Sequence, residues 1–273
     1  MLGNRFSYGN YALLSHRRDI HYLNQYLRRQ PRAALLFSGG LDSGFLLAAA
    51  AQILGPGLTA LTFAGPHTAP GELAAAWSLA RRLGVRQVVR AFDPLTLPAF
   101  RHNTLKRCYA CKKALITQAW EIAAALGIKV LWDGTNLDDL ADFRPGLAAV
   151  RELGVESPLL LAKMGKARLR ALSPAFGLNG SQPSQSCLAT RFPYDTELTG
   201  SGLARVGLAE AWLRRRGFTY VRLRVEGHRA RLNLAPEEWR AFLAPPMRRS
   251  FTAYISSLGF PELFLDMPGC RPA

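Results

Sequence analysis

The sequence is short of negative charge. It holds 19 Asp and Glu against 35 Lys and Arg, a formal net charge of +16. Such a balance favours polyanionic partners, nucleotides or RNA. No lysine–arginine block of the tail type occurs, so the excess can also be spread over solvated faces. Cysteine is scarce, with four residues in 273. Long apolar runs are missing: Phe45 to Leu54, an apolar helical run, is too short to span a bilayer. Met1 to Asn10 lacks the charged-then-apolar order of a signal peptide, so the expected location is the cytoplasm, away from membranes. In that compartment four cysteines point to metal ligands or reactive thiols rather than disulfides. Repeats and low-complexity linkers are also lacking. What is present is an apolar content of 49%, enough for a globular chain with one large and one small domain.

Strand and helix patterns alternate along the first half. Asp19 to Arg29 carries apolar residues at helical spacing and stops at Pro31. Apolar strands are predicted at Ala33–Phe37, Leu58–Ala64, Gln87–Ala91 and Lys129–Trp132, and helices at Glu72–Leu83 and Thr117–Leu126, stopped by Gly84 and Gly127. The alternation argues for an α/β fold with a doubly wound parallel sheet. Ligands of such sheets sit beyond the carboxyl ends of the strands.

Two stretches lie at such ends. The first is Phe37-Ser38-Gly39-Gly40-Leu41-Asp42-Ser43, between a strand and an apolar helix. Gly39 and Gly40 can take backbone angles closed to other residues and leave room for an anion, while Ser38 and Ser43 add hydroxyl donors. Asp42 repels phosphate unless a bound Mg²⁺ reverses the sign. The Lys-Ser/Thr pair of a Walker loop is absent. An ordinary glycine turn capped by Asp42 or Ser43 is the plainer alternative. The second stretch, Asp133 to Gly146, holds Asp133, Asp138, Asp139, Asp142 and Arg144. It is a candidate Mg²⁺ and nucleotide surface, or else a polar loop whose aspartates cap a helix.

Cys108 and Cys111 form a Cys-x-x-Cys pair flanked by Arg107, Lys112 and Lys113. The spacing lets both thiolates reach one metal ion or cluster, and the cations favour thiolate and would hold a negative cluster. Cys187 lies in Gln185-Ser186-Cys187-Leu188-Ala189-Thr190-Arg191. The alternatives are a redox dithiol, a zinc site completed by a histidine, and an inert buried Cys187. Cys270 has no metal-type spacing around it and reads as a bystander.

From about Thr196 the pattern changes. Leu203 to Arg216 is helical; Val221, Leu223 and Val225, then Ala230, Leu232 and Leu234, alternate with Arg222, Arg224, Arg229 and Arg231. This predicts a hairpin with one apolar and one arginine face, followed by a helix over Pro236–Leu258 interrupted at Pro245-Pro246, and a last strand at Glu262–Asp266. Four arginines on one face want an anion, or pairing to Glu210, Glu226 or Glu237. The expected division is 1–195 and a small α+β unit at 196–273.

Ser-Gly-Gly-x-Asp-Ser resembles the PP-loop of the N-type ATP pyrophosphatases, which implies an adenine nucleotide alpha-hydrolase-like fold and ATP as cosubstrate. Arg107-Cys108-Tyr109-x-Cys111-Lys112, Asp133-Gly134-Thr135-Asn136 through Arg144-Pro145-Gly146, Ser157-Pro158-Leu159 and Cys187-Leu188-Ala189-x-Arg191-Phe192-Pro193-Tyr194 add a closer likeness. Together they resemble the LarE family, ATP-dependent sulfur insertases of nickel-pincer nucleotide biosynthesis. The resemblance implies adenylylation of a carboxylate of a pyridinium dicarboxylate mononucleotide, then displacement of AMP by sulfur. It implies nucleotide binding by Ser38, Gly39, Gly40, Asp42, Ser43, Phe63, Gly134 and Arg144, with Mg²⁺. Asp42 and Cys187 are the implied catalytic residues. Cys108, Cys111 and Cys187 are the implied ligands of a [4Fe-4S] cluster whose open iron carries the sulfur. Arg191, Glu210, Arg222 and Arg224 are the implied substrate-phosphate residues at a subunit interface, so a homo-oligomer and a sulfide donor are implied partners. Other family members sacrifice the sulfur of the cysteine matching Cys187. A PP-loop tRNA thiolase, with tRNA as partner, is the competing reading. The chain departs from the family pattern at Gly65-Pro66-His67-Thr68, at Asn179-Gly180-Ser181-Gln182-Pro183 and at Asp195.

Overall fold

The structure is a computed structural model and describes residues 17–141, 144–181 and 186–266. Asp142, Gln182, Pro183 and Cys270 lie outside the described residues.

The chain opens with helix α1 (Arg17–Leu27) and strand β1 (Ala33–Leu36), then alternates α2 (Leu41–Leu54), β2 (Leu58–Ala64), α3 (Glu72–Arg82) and β3 (Arg86–Ala91). A short α4 (Pro98–Arg101) and a long α5 (Arg107–Ala125) lead to β4 (Leu131–Trp132), and α6 (Gly146–Glu152), α7 (Pro158–Leu161) and α8 (Lys166–Leu172) follow. The four strands form one parallel sheet in the order β3-β2-β1-β4. All four residues of β1 are buried, because helices cover both faces. Ala33, Leu35 and Phe37 face a core with Leu23, Leu27, Phe45 and Leu46. Ala34 and Leu36 face the other core, with Ile116, Ala119 and Ala123 of α5. Helix α2 is buried continuously from Ser43 to Ala50, which explains its apolar run without a polar face.

Strand order explains where a ligand fits. The sheet grows from β1 to β2 to β3, then the chain returns and adds β4 on the other side of β1. The segments leaving β1 and β4 therefore part in opposite directions and open a crevice at their carboxyl ends. Those segments are the glycine loop and Asp133–Asn136.

The second sheet has the order β5-β6-β7, from β5 (Val221–Glu226), β6 (Arg229–Leu234) and β7 (Glu262–Leu265). The first two make the predicted antiparallel hairpin, with Leu223 opposite Leu232 and Arg224 opposite Arg231; β7 lies parallel to β6. The apolar face packs on α9 (Gly200–Arg214) and α11 (Pro245–Ser257), with α10 (Trp239–Leu243) between. Pro245 opens α11 rather than breaking a longer helix; a first-turn proline gives up no helical bond. Ala69 and Leu188 belong to this second core as well.

One helix differs in extent from its sequence pattern. The apolar spacing predicted a start at Thr117, yet α5 begins at Arg107. Its first two turns carry no apolar stripe because they pack against α4 and beside the distant Cys187 to Leu198 stretch, where Cys111 and Cys187 share one apolar cluster.

Candidate active site

The glycine loop starts where β1 stops. Phe37 N–H still donates to Leu61 O at 2.8 Å, and Thr62 Oγ1 donates to Phe37 O at 2.8 Å. After that anchor the chain turns at Gly39, φ +82, a left-handed angle that costs other residues about 1 kcal/mol or more. Gly40 differs from expectation: its φ of −71 is open to any residue. It is the N-cap of α2, with no side chain capping the helix, so the first-turn N–H groups of α2 are left to face an anion. Ser38 Oγ and Ser43 Oγ lie 3.1 Å apart across the loop.

Gly134 owes its place to packing. A Cβ there would lie 2.8 Å from Ser43 N and 2.9 Å from Ser43 Cα. The missing side chain lets the turn after β4 press on the first turn of α2. Next to it Asn136 Nδ2 donates to Asp42 Oδ2 at 3.0 Å, tying the two loops together.

The carboxylates divide by role. Asp42 is pushed above the ordinary aspartate range by burial and by the charge of Asp139, against the pull of Lys166, Asn136 and Arg144. A divalent cation would relieve that strain. Asp139 is buried and salt-bridged to Arg144 Nη1 at 2.8 Å and Lys166 Nζ at 3.6 Å. Asp138 accepts from the Lys166 backbone N–H at the start of α8. Burial alone would raise Asp133; Lys112 at 3.3 Å and hydrogen bonds from Ser157 and Thr135 hold it below the usual range. Asp133 and Asp138 are thus occupied by protein, and so is Asp139, by Arg144, Lys166 and the Asn136 N–H; Asp42 is the least compensated of the four.

These groups open onto a cavity of about 440 Å³, lined by Ser38, Gly40, Asp42 and Ser43, by Phe63, Gly134 and Arg144, and by Cys187. Most of the predicted nucleotide residues are therefore brought to one cavity with one of the three cysteines. Sequence reasoning passed over three wall residues: Glu72, Lys166 and His67. Glu72 Oε2 accepts from Ala69 N–H at 3.1 Å, and burial raises its carboxyl despite Arg214, Arg191 and Arg222. Burial lowers the His67 imidazole, whose ring meets Phe92 and Phe100 edge-on. Lys166 opens α8, the end a helix dipole disfavours for a cation. That misfit was the only sequence signal that it serves a distant carboxylate.

Cys108 and Cys111 stand one turn apart at the start of α5, where their side chains share a face. Cys111 and Cys187 pack on the same small cluster of Phe100, Ala189 and Leu198. All three are free thiols. Burial, then the proximity of Cys187 and Cys108, pushes Cys111 up to about 12; burial, with Cys108 nearby, puts Cys187 at about 11. Three thiols that repel each other's charge are a donor set that cationic iron would neutralise. Among the described residues no group of three or more His, Cys, Asp or Glu converges on a single metal ion.

Arg191 and Glu210 lie beyond the cysteine loop. Arg191 Nε donates to Glu210 Oε1 at 2.6 Å and Nη2 to Oε2 at 3.2 Å. Arg214 and the Leu223 N–H also donate to the fully buried Glu210. Burial would raise Glu210, but these donors, Arg191 foremost, hold it low. The arginine face of the hairpin is not uniform. Arg224 Nη1 donates to Asn233 at 2.7 Å and lies 3.6 Å from Asp266, and Arg229 pairs with Glu262 at 3.1 Å. These acids, rather than Glu226 or Glu237, are the partners observed. Arg222 is half-buried, and its charge reaches Glu72 and Arg191; none of Arg191, Glu210, Arg222 and Arg224 lines the nucleotide-side cavity, whereas Arg191 and Arg224 line a second one of about 540 Å³.

No family model matches the chain. It is 36% identical over 251 residues to an uncharacterised protein of Synechocystis sp., covering 92% of this chain and 94% of that protein. It is 34% identical over 247 residues to a protein of Lactiplantibacillus plantarum named pyridinium-3,5-bisthiocarboxylic acid mononucleotide synthase, covering 90% of this chain and 89% of that protein. An uncharacterised protein of Methanocaldococcus jannaschii is 27% identical over 186 residues, 68% of this chain and 71% of its own length.

Proposed function

The chain belongs to the LarE family of ATP-dependent sulfur transferases, and from that premise we propose that it converts carboxylates of a pyridinium-3,5-dicarboxylate mononucleotide into thiocarboxylates for a nickel-pincer nucleotide. A carboxylate resists nucleophiles because oxide would have to leave. Attack of the carboxylate oxygen on the α-phosphate of ATP releases pyrophosphate and gives an acyl adenylate. Sulfur then adds to the acyl carbon, and AMP departs with the carbon–oxygen bond. Ser38, Ser43 and the first N–H groups of α2 hold the pyrophosphate as its charge develops. Asp42 would hold Mg²⁺, and Phe63, Gly134 and Arg144 would line the nucleotide. Arg191, held by Glu210, and Arg222 would take the substrate phosphate, with Arg224 beside them, in a homo-oligomer fed by a sulfide donor. A [4Fe-4S] cluster on Cys108, Cys111 and Cys187 would supply sulfur at an iron that no protein thiolate occupies.

One observation carries this reading: the phosphate loop and Cys187 line the same cavity, so an acyl group activated at one can meet sulfur at the other without diffusing away. The test is anaerobic turnover with ATP, Mg²⁺, sulfide and the dicarboxylate mononucleotide. Mononucleotide-dependent pyrophosphate release, a thiocarboxylate product, bound iron and an intact Cys187 are expected. Pyrophosphate release that depends on bulk tRNA instead would sink the proposal.

A second reading has its own support. Cys187 lines the cavity, whereas Cys108 and Cys111 do not. Cys187 could itself attack the acyl adenylate and give up its sulfur, leaving dehydroalanine. Loss of one H₂S from Cys187 per turnover, read by mass, would favour it over the cluster route.

A further inference from the structure

Three cations flank the cysteine pair, and the structure separates their roles. Lys112 lies 3.3 Å from Asp133. Lys113 is engaged by Glu152 and Tyr109. Arg107 has no carboxylate partner among the described residues. It is only 6% exposed, and its Nη1 has no hydrogen-bond partner. The face of its guanidinium lies 4.5 Å from the Tyr194 ring centroid, which leaves the edge donors unspent.

Arg107 also stands at the wrong end of its helix. It is the first residue of α5, a 19-residue helix with no acidic residue in its first turn, where the dipole disfavours a cation. A buried charge without a counter-ion destabilises the fold, whereas an apolar side chain of like size buried in its place stabilises it. An anion beside Nη1 offsets each of these costs. The groups placed to supply one are the cysteines: Cys111 lies four residues on, on the same face of α5, the Tyr194 that Arg107 stacks on follows the Cys187 loop, and the charge of Arg107 reaches Cys187.

We propose that Arg107 is the fixed counter-charge of an iron–sulfur cluster held by Cys108, Cys111 and Cys187. The proposal rests on the cluster reading above. Three thiolates around a doubly positive cubane core leave one net negative charge, and a hydrosulfide on the open iron adds a second; one guanidinium offsets one of them. On this account Arg107 is a positioning residue, held flat by Tyr194, whose own charge is compensated only when the site is loaded.

The experiment compares full-length wild type with R107M, R107K and K113M by thermal midpoint without metal and by iron retained after anaerobic reconstitution and desalting. Apo R107M should melt at or above wild type, since an uncompensated charge is replaced by an apolar chain. It should retain about tenfold less iron, the size of loss typical of a disrupted partner of a metal site. R107K should recover part of the iron, and K113M should match wild type. Wild-type iron in R107M, or a clear fall of its apo midpoint, would overturn the role, because a merely structural arginine behaves that way. Failure of wild type itself to hold iron would instead overturn the cluster reading, and this role with it.

Discussion

At the scale of single residues, Asp42 shows function set against stability. Its carboxyl sits above the ordinary range because it is buried near Asp139. A group whose folded pKa is raised binds protons more readily folded than unfolded, so at neutral pH its charge subtracts from stability. D42N should therefore raise the apo melting temperature at pH 7. The gain should vanish below the unfolded aspartate pKa of about 3.9, where both states are protonated. Mg·ATP-dependent pyrophosphate release should meanwhile fall by about 10²-fold or more, the loss expected when one transition-state charge partner is removed. A D42N protein no more stable than wild type at pH 7, or one still active, would contradict this. Asp42 was legible in the sequence from its place after two glycines. The roles of Asp133 and Asp138 were not, because their partners Lys112, Ser157 and the Lys166 backbone come from segments that the sequence shows apart.

At the scale of elements, the strand–turn–helix unit is tuned by three glycines that are not equivalent. Gly39 needs its positive φ, and a Cβ there would lie 3.0 Å from Ala76 Cβ. A Cβ on Gly40 would meet only Ser38 Oγ, at 3.5 Å. Gly134 is pressed on the Ser43 backbone. Chemical denaturation should show G39A and G134A losing about 1–3 kcal/mol and G40A less than about 0.5 kcal/mol. G40A should instead weaken ATP binding, because the added methyl stands among the first-turn donors of α2. Equal stability losses in all three would refute the distinction. The motif made the loop visible, but its hidden contact with Gly134 depends on β4 lying next to β1. The early start of α5 was likewise invisible, since its first turns pack against α4 and beside a segment some eighty residues later rather than along a local stripe.

At the scale of the whole molecule, the arginines of the second sheet are not equivalent. Arg224 is tied to Asn233 and Asp266, while the charge of Arg222 reaches Arg191 and Glu72. In calorimetric titrations R222A should weaken mononucleotide binding by about tenfold or more, the size of one lost charge-assisted hydrogen bond, with ATP affinity little changed. R224A should do less. Equal losses for ATP and mononucleotide in R222A would remove the second sheet from the substrate site. Ala69 and Leu188 pack in the core of the second sheet, and Leu188 N–H donates to His67 O at 3.1 Å, which joins the His67 turn to the Cys187 loop.

Sequence alone determined the phosphate loop, the alternating strands and helices, the hairpin with its apolar face and the cysteine pattern. All of these are local signals, written in spacing, turn residues and motif order. Only the tertiary structure decided which strand returned beside β1, which aspartates were already spent on protein partners, and that Cys187 shares a cavity with Asp42. It alone left Arg107 buried without a carboxylate among the described residues, while Lys112 and Lys113 found theirs. Such outcomes depend on contacts between residues far apart in the chain, where the energy of an ion or a cavity is set by neighbours that no local pattern names.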